Sequence, residues 1–200
     1  MFWRRRQTVA TKLICGLGNP GSEYEGHRHN VGFRIIDAAA ERFETKLDRR
    51  KFDGRIGQGE IGKSRVFLFE PQTFMNASGA AVAAAVRFYK IDAPDLLVVH
   101  DELDLPFGRL QLKLGGGAGG HNGLISIIEW LGREDFARLR FGIGKPEGPG
   151  AKERVVSHVL SDFNPEEQAA LEDLVGRAAD AVDAWSRDGL ASAMNRFNRR

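Results

Sequence analysis

Hydrophobic positions recur along the chain at two spacings, and the elements they predict alternate between strand and helix. Short apolar or alternating runs predict strands at Lys12–Leu17, Arg55–Ile61, Ser64–Phe69, Leu96–Val99, Arg109–Leu114 and Arg138–Gly144. Apolar residues at helical spacing predict helices at Val31–Phe43, Ser78–Tyr89, Gly123–Leu131, Asn164–Trp185 and Leu190–Phe197. Strands interleaved with helices in this way indicate an α/β protein.

The predicted fold is a single-domain three-layer sandwich, in which a mixed, mostly parallel twisted sheet carries helices on both faces. The two-residue turn Gly62-Lys63 joins two of the strands and requires at least one antiparallel pair. No internal repeat and no linker divides the chain. We therefore expect residues 1–11 to form a flexible N-terminal extension and residues 12–200 to form one catalytic domain.

Composition places the chain among ordinary globular proteins. Of its 200 residues, 42% are hydrophobic and 28% are charged, and the formal net charge is only +2. Any binding of nucleic acid must therefore depend on a local basic patch rather than on the charge of the whole molecule. The single cysteine, Cys15, excludes an internal disulfide framework and indicates a reducing cytoplasm. Its place in an apolar run favours a small buried hydrophobe over a nucleophile.

No segment of the sequence predicts a membrane span or a secretion signal. No apolar run approaches the ~18 residues that a transmembrane helix needs. The basic start of the chain, with Arg4–Arg6, lacks the apolar stretch of a signal peptide. We expect this start to be a solvated tail, with contact to phosphate as the alternative.

Three of the apolar strands lead into polar residues. Asn19 follows the first of these strands, Asn76 lies beyond the second, and Asp101 follows the central one. Because parallel strands end at the same edge of a sheet, and open α/β folds bind ligands there, this edge is the predicted site. The polar, turn-rich stretch Leu17–Asn30 also brings His29 to it.

These residues predict a hydrolytic site that activates water. Imidazole titrates near neutral pH, so His29 is the predicted general base, and Asp101 is expected to hold its other ring nitrogen. No serine or cysteine fits as a nucleophile, and the G-x-S-x-G motif is absent. A histidine–aspartate pair without a protein nucleophile indicates attack by water.

Three asparagines, Asn19, Asn76 and Asn122, have two interpretations. Each stands in a turn or before a helix, where asparagine is favoured for structural reasons. Together at one edge, their amides offer the donor and acceptor that match a peptide group. Asn122 also follows the glycine-rich loop Gly115–Gly120 and precedes a helix, where backbone N–H groups favour an oxyanion or phosphate. The loop itself is a mobile connection, a lid, or both.

Two other patterns suggest cofactors. Gly16–Gly21 matches G-x-G-x-x-G, but a loop rather than a helix follows, and the acid about 20 residues later, Asp37, lies inside a predicted helix. His27 and His29, with two further histidines, suggest a metal, but their spacings fit no usual zinc signature. We therefore predict neither a dinucleotide nor a metal.

The sequence resembles the bacterial peptidyl-tRNA hydrolase family from about Lys12 to Phe197. The motifs that carry the resemblance are GLGNPG at Gly16–Gly21, RHNVG at Arg28–Gly32, FMNASG at Phe74–Gly79, HDELDLP at His100–Pro106, KLGGGAGGHNG at Lys113–Gly123 and RLRFGIG at Arg138–Gly144. Several such motifs in this order are highly specific, whereas any one of them alone is weak. The resemblance implies a cytoplasmic, monomeric enzyme without metal or organic cofactor, which cleaves the ester joining a peptide to the terminal ribose of tRNA.

The resemblance also implies roles for individual residues. His29 becomes the general base on water, and Asp101 orients it. Asn19 and Asn76 hold the peptide and the ester end, and Asn122 places water or steadies the oxyanion. Tyr24 and Met75 form a wall of the cleft. Lys113 and Arg140 contact phosphates of the acceptor stem and CCA end of tRNA.

One position departs from the family pattern, in which threonine usually precedes RHN and this chain has His27. A second imidazole there is expected to lower the pKa of His29 by like-charge repulsion, or to face solvent. Three other functions stay open: a tRNA-binding protein without catalysis, a metal-dependent hydrolase and a nicotinamide-dependent oxidoreductase. Turnover of an N-blocked aminoacyl-tRNA that survives chelation separates them from a peptidyl-tRNA hydrolase.

Overall fold

The computed structural model describes residues 10–146, 148–151 and 153–199, so Arg4–Arg6 and most of the predicted extension lie outside the described residues. The strands are β1 (Thr11–Gly16), β2 (Arg49–Lys51), β3 (Gly54–Ile61), β4 (Ser64–Pro71), β5 (Leu96–Glu102), β6 (Leu110–Leu114) and β7 (Ala137–Gly142). The α-helices are α1 (Val31–Arg42), α2 (Ser78–Tyr89), α3 (Asn122–Leu131), α4 (Val155–Val159), α5 (Pro165–Asp188) and α6 (Leu190–Phe197). Within the described residues, no helix combines the length and apolarity needed to cross a bilayer.

The described strands form one mixed sheet in the order β2-β3-β4-β1-β5-β7-β6. The pairs β4–β1, β1–β5 and β5–β7 are parallel, and the pairs β2–β3, β3–β4 and β6–β7 are antiparallel. β3 and β6 therefore run against the other described strands. The predicted mixed, mostly parallel sheet is confirmed, and the turn Gly62-Lys63 closes the expected hairpin between β3 and β4.

Helices cover both faces of the sheet and complete the three predicted layers. On one face, α1 and α5 bury side chains such as Ile35 and Trp185. On the other face, α2 and α3 bury Val82 and Ile127 in a second apolar cluster. Cys15 is fully buried in that second cluster, which confirms its interpretation as a small buried hydrophobe. The middle of the sheet is thus shielded from water, and polar chemistry is left to its ends.

Two glycines allow α1 to approach the end of β1 closely. A Cβ atom on Gly32 would lie 2.4 Å from the carbonyl oxygen of Leu17, and one on Gly16 would lie 2.4 Å from the carbonyl oxygen of Gly32. A larger side chain at either position would therefore push the helix away from the strand. The close contact places His29 and Asn30, the two residues before α1, beside the ends of β1 and β5.

The element boundaries differ from the predicted ones mainly near the predicted site. β5 continues through Asp101 to Glu102, so Asp101 belongs to the strand rather than to the loop after it. β2 and α4 are absent from the predicted elements, because three exposed basic residues and a helix of five residues carry no usable apolar periodicity. The start of α5 is as predicted: Asn164 and Glu167 form a capping box in which each side chain accepts the other residue's backbone N–H.

Candidate active site

His29 and Asp101 meet at the edge of the sheet where β1, β4 and β5 end. His29 lies in a 3-10 turn, Arg28–Asn30, immediately before α1, and Asp101 is the residue before the last in β5. The distance between His29 Nδ1 and Asp101 Oδ1 is 2.8 Å, and both side chains are buried, Asp101 to 3% exposure. The Nδ1–H group therefore donates to the carboxylate, and Nε2 is the nitrogen that can accept a proton.

His121 binds the same carboxylate oxygen, a contact that the sequence does not predict. Its Nε2 lies 3.0 Å from Asp101 Oδ1. Its Nδ1 accepts hydrogen bonds from the backbone N–H groups of Gly123 and Leu124, at 3.2 and 3.4 Å, and so caps α3. An acceptor at Nδ1 fixes the proton on Nε2, so neutral His121 donates to Asp101. The only signal in the sequence is its place next to Asn122.

Burial and charge act in opposite directions on the proton affinities of this group. Burial alone would lower the pKa of His29, but the charge and hydrogen bond of Asp101 outweigh it and raise that pKa above its ordinary value of 6.5. Burial alone would raise the pKa of Asp101, but the two imidazoles hold it well below its usual range. Burial first, and then His121, lower the pKa of His100 to about 3. At neutral pH Asp101 is therefore ionised and His100 is neutral.

Arg28 anchors the turn that carries His29 to the C-terminal part of the chain. Its guanidinium donates to Ser161 Oγ at 2.7 Å, to the Asp162 carbonyl at 2.5 Å and to Glu167 Oε2 at 2.5 Å. Its backbone N–H donates to the Ser161 carbonyl at 3.0 Å. These bonds are largely removed from solvent, because the Arg28 side chain is buried. The position of His29 thus depends on the segment that leads into α5.

Asn30 holds Asn19 in place. The Asn30 side-chain oxygen accepts the backbone N–H of Asn19 at 3.0 Å, and its amino group donates to the Asn19 carbonyl at 2.8 Å. The side-chain oxygen of Asn19 then accepts the backbone N–H of Met75 at 2.8 Å. Asn19 therefore joins the loop after β1 to the turn after β4, which is a structural role. Among the described residues its amino group has no hydrogen-bonding partner, so it remains a donor for a ligand.

The other residues predicted to contact substrate lie at different depths. Met75 is buried, whereas Asn76, in the turn before α2, and Asn122, at the start of α3, are exposed. Tyr24 is half-buried, and its ring packs edge-on against Phe74, with the ring centres 6.2 Å apart. Both exposed amides are therefore accessible to a ligand from solvent.

His29, Asp101 and His121 line a cavity of about 290 Å³ together with Asn122. The glycine-rich loop forms one wall of this cavity, and α4 forms another. Asn19 lies at the same edge of the sheet but lines a second cavity. The predicted shared edge is therefore present, and it holds two cavities rather than one.

The glycine-rich loop is tied down at its base. Arg138 donates to the carbonyls of Gly116 and Gly117, and the Gly115 N–H donates to the carbonyl of Phe136, the residue before β7. Gly119 and Gly120, further along the loop, are exposed and have φ angles of 58° and 81°, which favour glycine. The end of the loop that lines the His29 cavity is thus the less constrained end.

His27 packs against Tyr24 and does not act on His29 as the like-charge alternative expects. Its ring lies edge-on to Tyr24, with 5.4 Å between ring centres, and its backbone pairs with Asp162 in an isolated bridge. The side chain is half-buried rather than turned fully to solvent. The pKa of His29 is raised rather than lowered, since the negative charge of Asp101 prevails there.

Lys113 lies on β6, the last strand in the sheet order, and Arg140 lies on its neighbour β7. Both side chains are on the same face of the sheet as Arg138. Arg140 is already paired: its Nε lies 2.7 Å from Glu102 Oε2, and its guanidinium donates to Gln111. Burial first, and then the two arginines, lower the pKa of Lys113. A local basic patch therefore exists, with one of its cations engaged in an ion pair.

His29, Asp101 and His121 each offer a possible metal-ligand atom within 4.8 Å of the other two, and they are the one such trio found in the described part of the chain. Two imidazoles and a carboxylate are donors that zinc accepts. Here both imidazoles direct N–H groups at the carboxylate, so a bound metal ion would have to replace those two protons.

Comparison with known proteins finds relatives along nearly the whole chain. The sequence profile of the family described as "Peptidyl-tRNA hydrolase" matches residues 13–200. A peptidyl-tRNA hydrolase from Chloroflexus aurantiacus is 50% identical over 187 residues, which cover 93% of this chain and 98% of that protein. A peptidyl-tRNA hydrolase from Halalkalibacterium halodurans is 46% identical over 187 residues, which cover 94% of this chain and 100% of that protein.

Solved structures share the fold. The crystal structure of peptidyl-tRNA hydrolase from Acinetobacter baumannii is 41% identical in sequence, superimposes with a TM-score of 0.87 and covers 95% of each chain. The crystal structure of a peptidyl-tRNA hydrolase in complex with N-propanol is 42% identical, with a TM-score of 0.87 and 94% of each chain covered. These similarities confirm the predicted α/β architecture.

Proposed function

The chain belongs to the peptidyl-tRNA hydrolase family, and on this basis we propose that it hydrolyses the ester between a peptide, or an N-blocked aminoacyl group, and the 3′-terminal ribose of tRNA. The reaction recycles tRNA from peptidyl-tRNA that stalled ribosomes release. The observation that carries the proposal is the 2.8 Å contact between His29 Nδ1 and the buried Asp101 carboxylate. No serine or cysteine is among the residues lining the cavity beside this pair, which favours water as the nucleophile.

In the proposed reaction His29 Nε2 accepts a proton from water while the water oxygen attacks the carbonyl carbon of the ester. The carbon becomes tetrahedral, and negative charge develops on the former carbonyl oxygen. The bond to the ribose oxygen then breaks, and that oxygen takes the proton from His29. A hydroxyl is a better leaving group than an amine, so general base catalysis worth roughly a hundredfold or more is sufficient with good positioning.

Asp101 supports the base in two ways. By accepting the Nδ1–H of His29, it fixes the tautomer and stabilises the imidazolium that forms during attack. The second hydrogen bond, from His121, favours the ionised carboxylate and restrains its rotation. His121 thereby acts on the reaction through Asp101, as a positioning residue.

The amides of the site are proposed to hold the acyl part of the substrate. Asn122 is exposed in the His29 cavity, at the start of α3, where it can place water or steady the oxyanion. The amino group of Asn19 donates to a peptide carbonyl, and exposed Asn76 contacts the ester end. Met75 and Tyr24 form the wall beside them.

The basic patch is proposed to contact phosphates of the acceptor stem and CCA end. Lys113 contributes more to the affinity for phosphate than Arg140, because the charge of Arg140 is already paired with Glu102. The proposed site needs residues of one chain only, which supports a monomer. The free thiol of Cys15 supports a location in the reducing cytoplasm, where peptidyl-tRNA is made.

Hydrolysis of N-acetylaminoacyl-tRNA by the purified chain tests this function. The expected result is release of the N-acetylamino acid, retained after exhaustive chelation, with the unblocked aminoacyl-tRNA spared. The two substrates differ only in the acyl nitrogen, so equal rates would contradict recognition of a peptide bond. Absence of turnover with both would leave tRNA binding without catalysis.

A further inference from the structure

A second cavity, of about 340 Å³, opens at the same edge of the sheet as the His29 site. Its lining includes residues of β4 and β3, whereas Asp101 belongs to β5, and β1 separates these two sides of the sheet. Asn19 and Asn30 form the wall nearest the proposed active site. The volume is about ten times the ~30 Å³ share of one molecule in liquid water, so an extended side chain has room there.

Glu70 is the buried group in this cavity that nothing in the reaction uses. It lies on β4, is only 1% exposed and accepts a hydrogen bond from Arg55 at Oε2, over 3.1 Å. Its other oxygen, Oε1, is buried and has no hydrogen bond of normal geometry among the described residues. When the carboxyl group of Glu70 is ionised, this oxygen lacks a donor, which is costly, so the ionised form is suited to a ligand that supplies one.

The charges around Glu70 favour a cationic donor. Glu25, Asp37 and Glu70 line the cavity with two arginines, Arg34 and Arg55, so its acidic side chains outnumber its basic ones. Both arginines are engaged: Arg55 with Glu70 and, at 3.9 Å, with Asp37, and Arg34 with the Glu25 carbonyl at 3.0 Å. An anionic ligand would have to break these contacts, whereas a cation completes them.

The pKa values of the acids in the cavity are consistent with a site for a cation. Burial first, and then the charge and the hydrogen bond of the neighbouring Asp37, raise the pKa of Glu70 to about 8, against the attraction of Arg55. Burial likewise raises the pKa of Asp37, against the attraction of Arg55. At neutral pH the pair therefore holds a proton in a position where an ammonium or guanidinium group could supply the positive charge instead.

We propose that this cavity is a subsite for a lysine or arginine side chain of the peptide part of the substrate. The inference rests on the proposed function, because it needs the peptide to pass over Asn19, which forms a wall of the cavity. A basic side chain that enters there donates to Glu70 Oε1 and lies beside Asp37. The enzyme would then cleave peptidyl-tRNAs at rates that depend on basic residues near the ester.

Purified full-length chain and a set of N-acetyl-tetraalanyl-tRNAs test the subsite. One alanine at a time, from the ester outward, is replaced by lysine or by norleucine, which has the same carbon chain without the charge. At one position the kcat/KM for lysine should exceed that for norleucine by about tenfold, the effect expected of one buried charge-assisted hydrogen bond. Equal values at all positions would overturn the subsite and leave the proposed function standing.

Variants locate the effect. In Glu70→Gln, and separately in Asp37→Asn, the ratio of lysine to norleucine should fall towards one, since each change removes a carboxyl group that can ionise beside a cation while conserving shape. The control is Glu60→Gln, an exposed position near the opposite end of the β3–β4 hairpin, which should keep the ratio of the unmodified chain. An unchanged ratio in both cavity variants would refute the assignment, whereas loss of turnover of every substrate by the unmodified chain would refute the proposed function itself.

Discussion

The imidazoles of His29 and His121 lie 4.9 Å apart, centre to centre, and both direct a ring nitrogen at the same oxygen of Asp101. Their roles differ because their other nitrogens differ. The second nitrogen of His121 caps α3, whereas Nε2 of His29 is left for water. One carboxylate thus accepts hydrogen bonds from a histidine that caps a helix and from the proposed base.

Replacing His29 by alanine tests the base directly. We expect His29→Ala to lower kcat by roughly a hundredfold or more, because the change removes the proposed acceptor of the proton from water. The KM and the affinity for tRNA should change little. His27→Ala is the matched control, because this neighbouring imidazole packs on Tyr24 and should leave kcat within about twofold. A mild loss in His29→Ala would show that another group is the base.

The pH profile tests how Asp101 acts on His29. The proposed mechanism requires the unprotonated imidazole, so kcat/KM should fall as pH decreases through the pKa of His29, which Asp101 raises above 6.5. In Asp101→Asn the negative charge is lost, so the acidic limb should move to lower pH while the plateau falls by about tenfold or more. Profiles measured from pH 5 to 9 provide the check. A limb that stays in place would mean that Asp101 does not set this pKa.

Glu70 should make the fold less stable as pH rises. Its pKa is about 8 in the folded chain and near 4.5 in an unfolded one, so between these values the folded state retains a proton that the unfolded state has lost. The stability it contributes is full below about pH 4.5 and is lost as pH rises towards 8. Glu70→Gln removes this dependence. The melting temperature of Glu70→Gln minus that of the unmodified chain should therefore be larger at pH 8.5 than at pH 5, by roughly 4–8 °C for a loss of about 2 kcal/mol in the free energy of unfolding.

Thermal melts of Glu60→Gln provide the comparison for this prediction, because the exposed carboxylate of Glu60 lies on the same hairpin. The difference between Glu60→Gln and the unmodified chain should not vary with pH. If Glu70→Gln behaves in the same way, Glu70 is ionised in the folded chain at neutral pH.

Lys113 should contribute to tRNA binding through charge alone. We expect Lys113→Ala to weaken binding and to reduce the slope of log K against log salt by about one, the release of one counterion. Binding is measured by fluorescence titration with tRNA that carries no aminoacyl group, across a salt series. Lys63→Ala, in the turn between β3 and β4, is the control and should leave the slope unchanged. An unaltered slope for Lys113→Ala would remove this residue from the phosphate contacts.

The strand-end argument predicts the central pair from sequence because it depends on one property, the parallel order of β1, β4 and β5. Apolar runs identify these strands, and their polar ends then fall at one edge. His29 and Asp101 follow from this logic. The substrate does not, since a base and a carboxylate suit many esters; the resemblance to a family supplied it.

The contact of His121 with Asp101 and the burial of Glu70 cannot be predicted from the strand ends, for different reasons. The contact of His121 with Asp101 depends on the path of a glycine-rich loop, whose φ angles no apolar pattern records. Glu70 is a charged residue near the end of an apolar strand, and its burial comes from Arg55 on β3 and from α1 packing above it. The separation of Asn19 from the His29 cavity is likewise a property of packed loops rather than of strand order.

Arg28 and Glu167, which form an ion pair, are 139 positions apart in the chain. During translation the turn with His29 is made before Glu167, so its anchor exists only once Glu167 has been added. A nascent copy of this protein is itself a peptide esterified to tRNA. Until Glu167 has been added, the growing chain lacks the ion pair that holds the turn with the proposed base, the group that would act on such a bond.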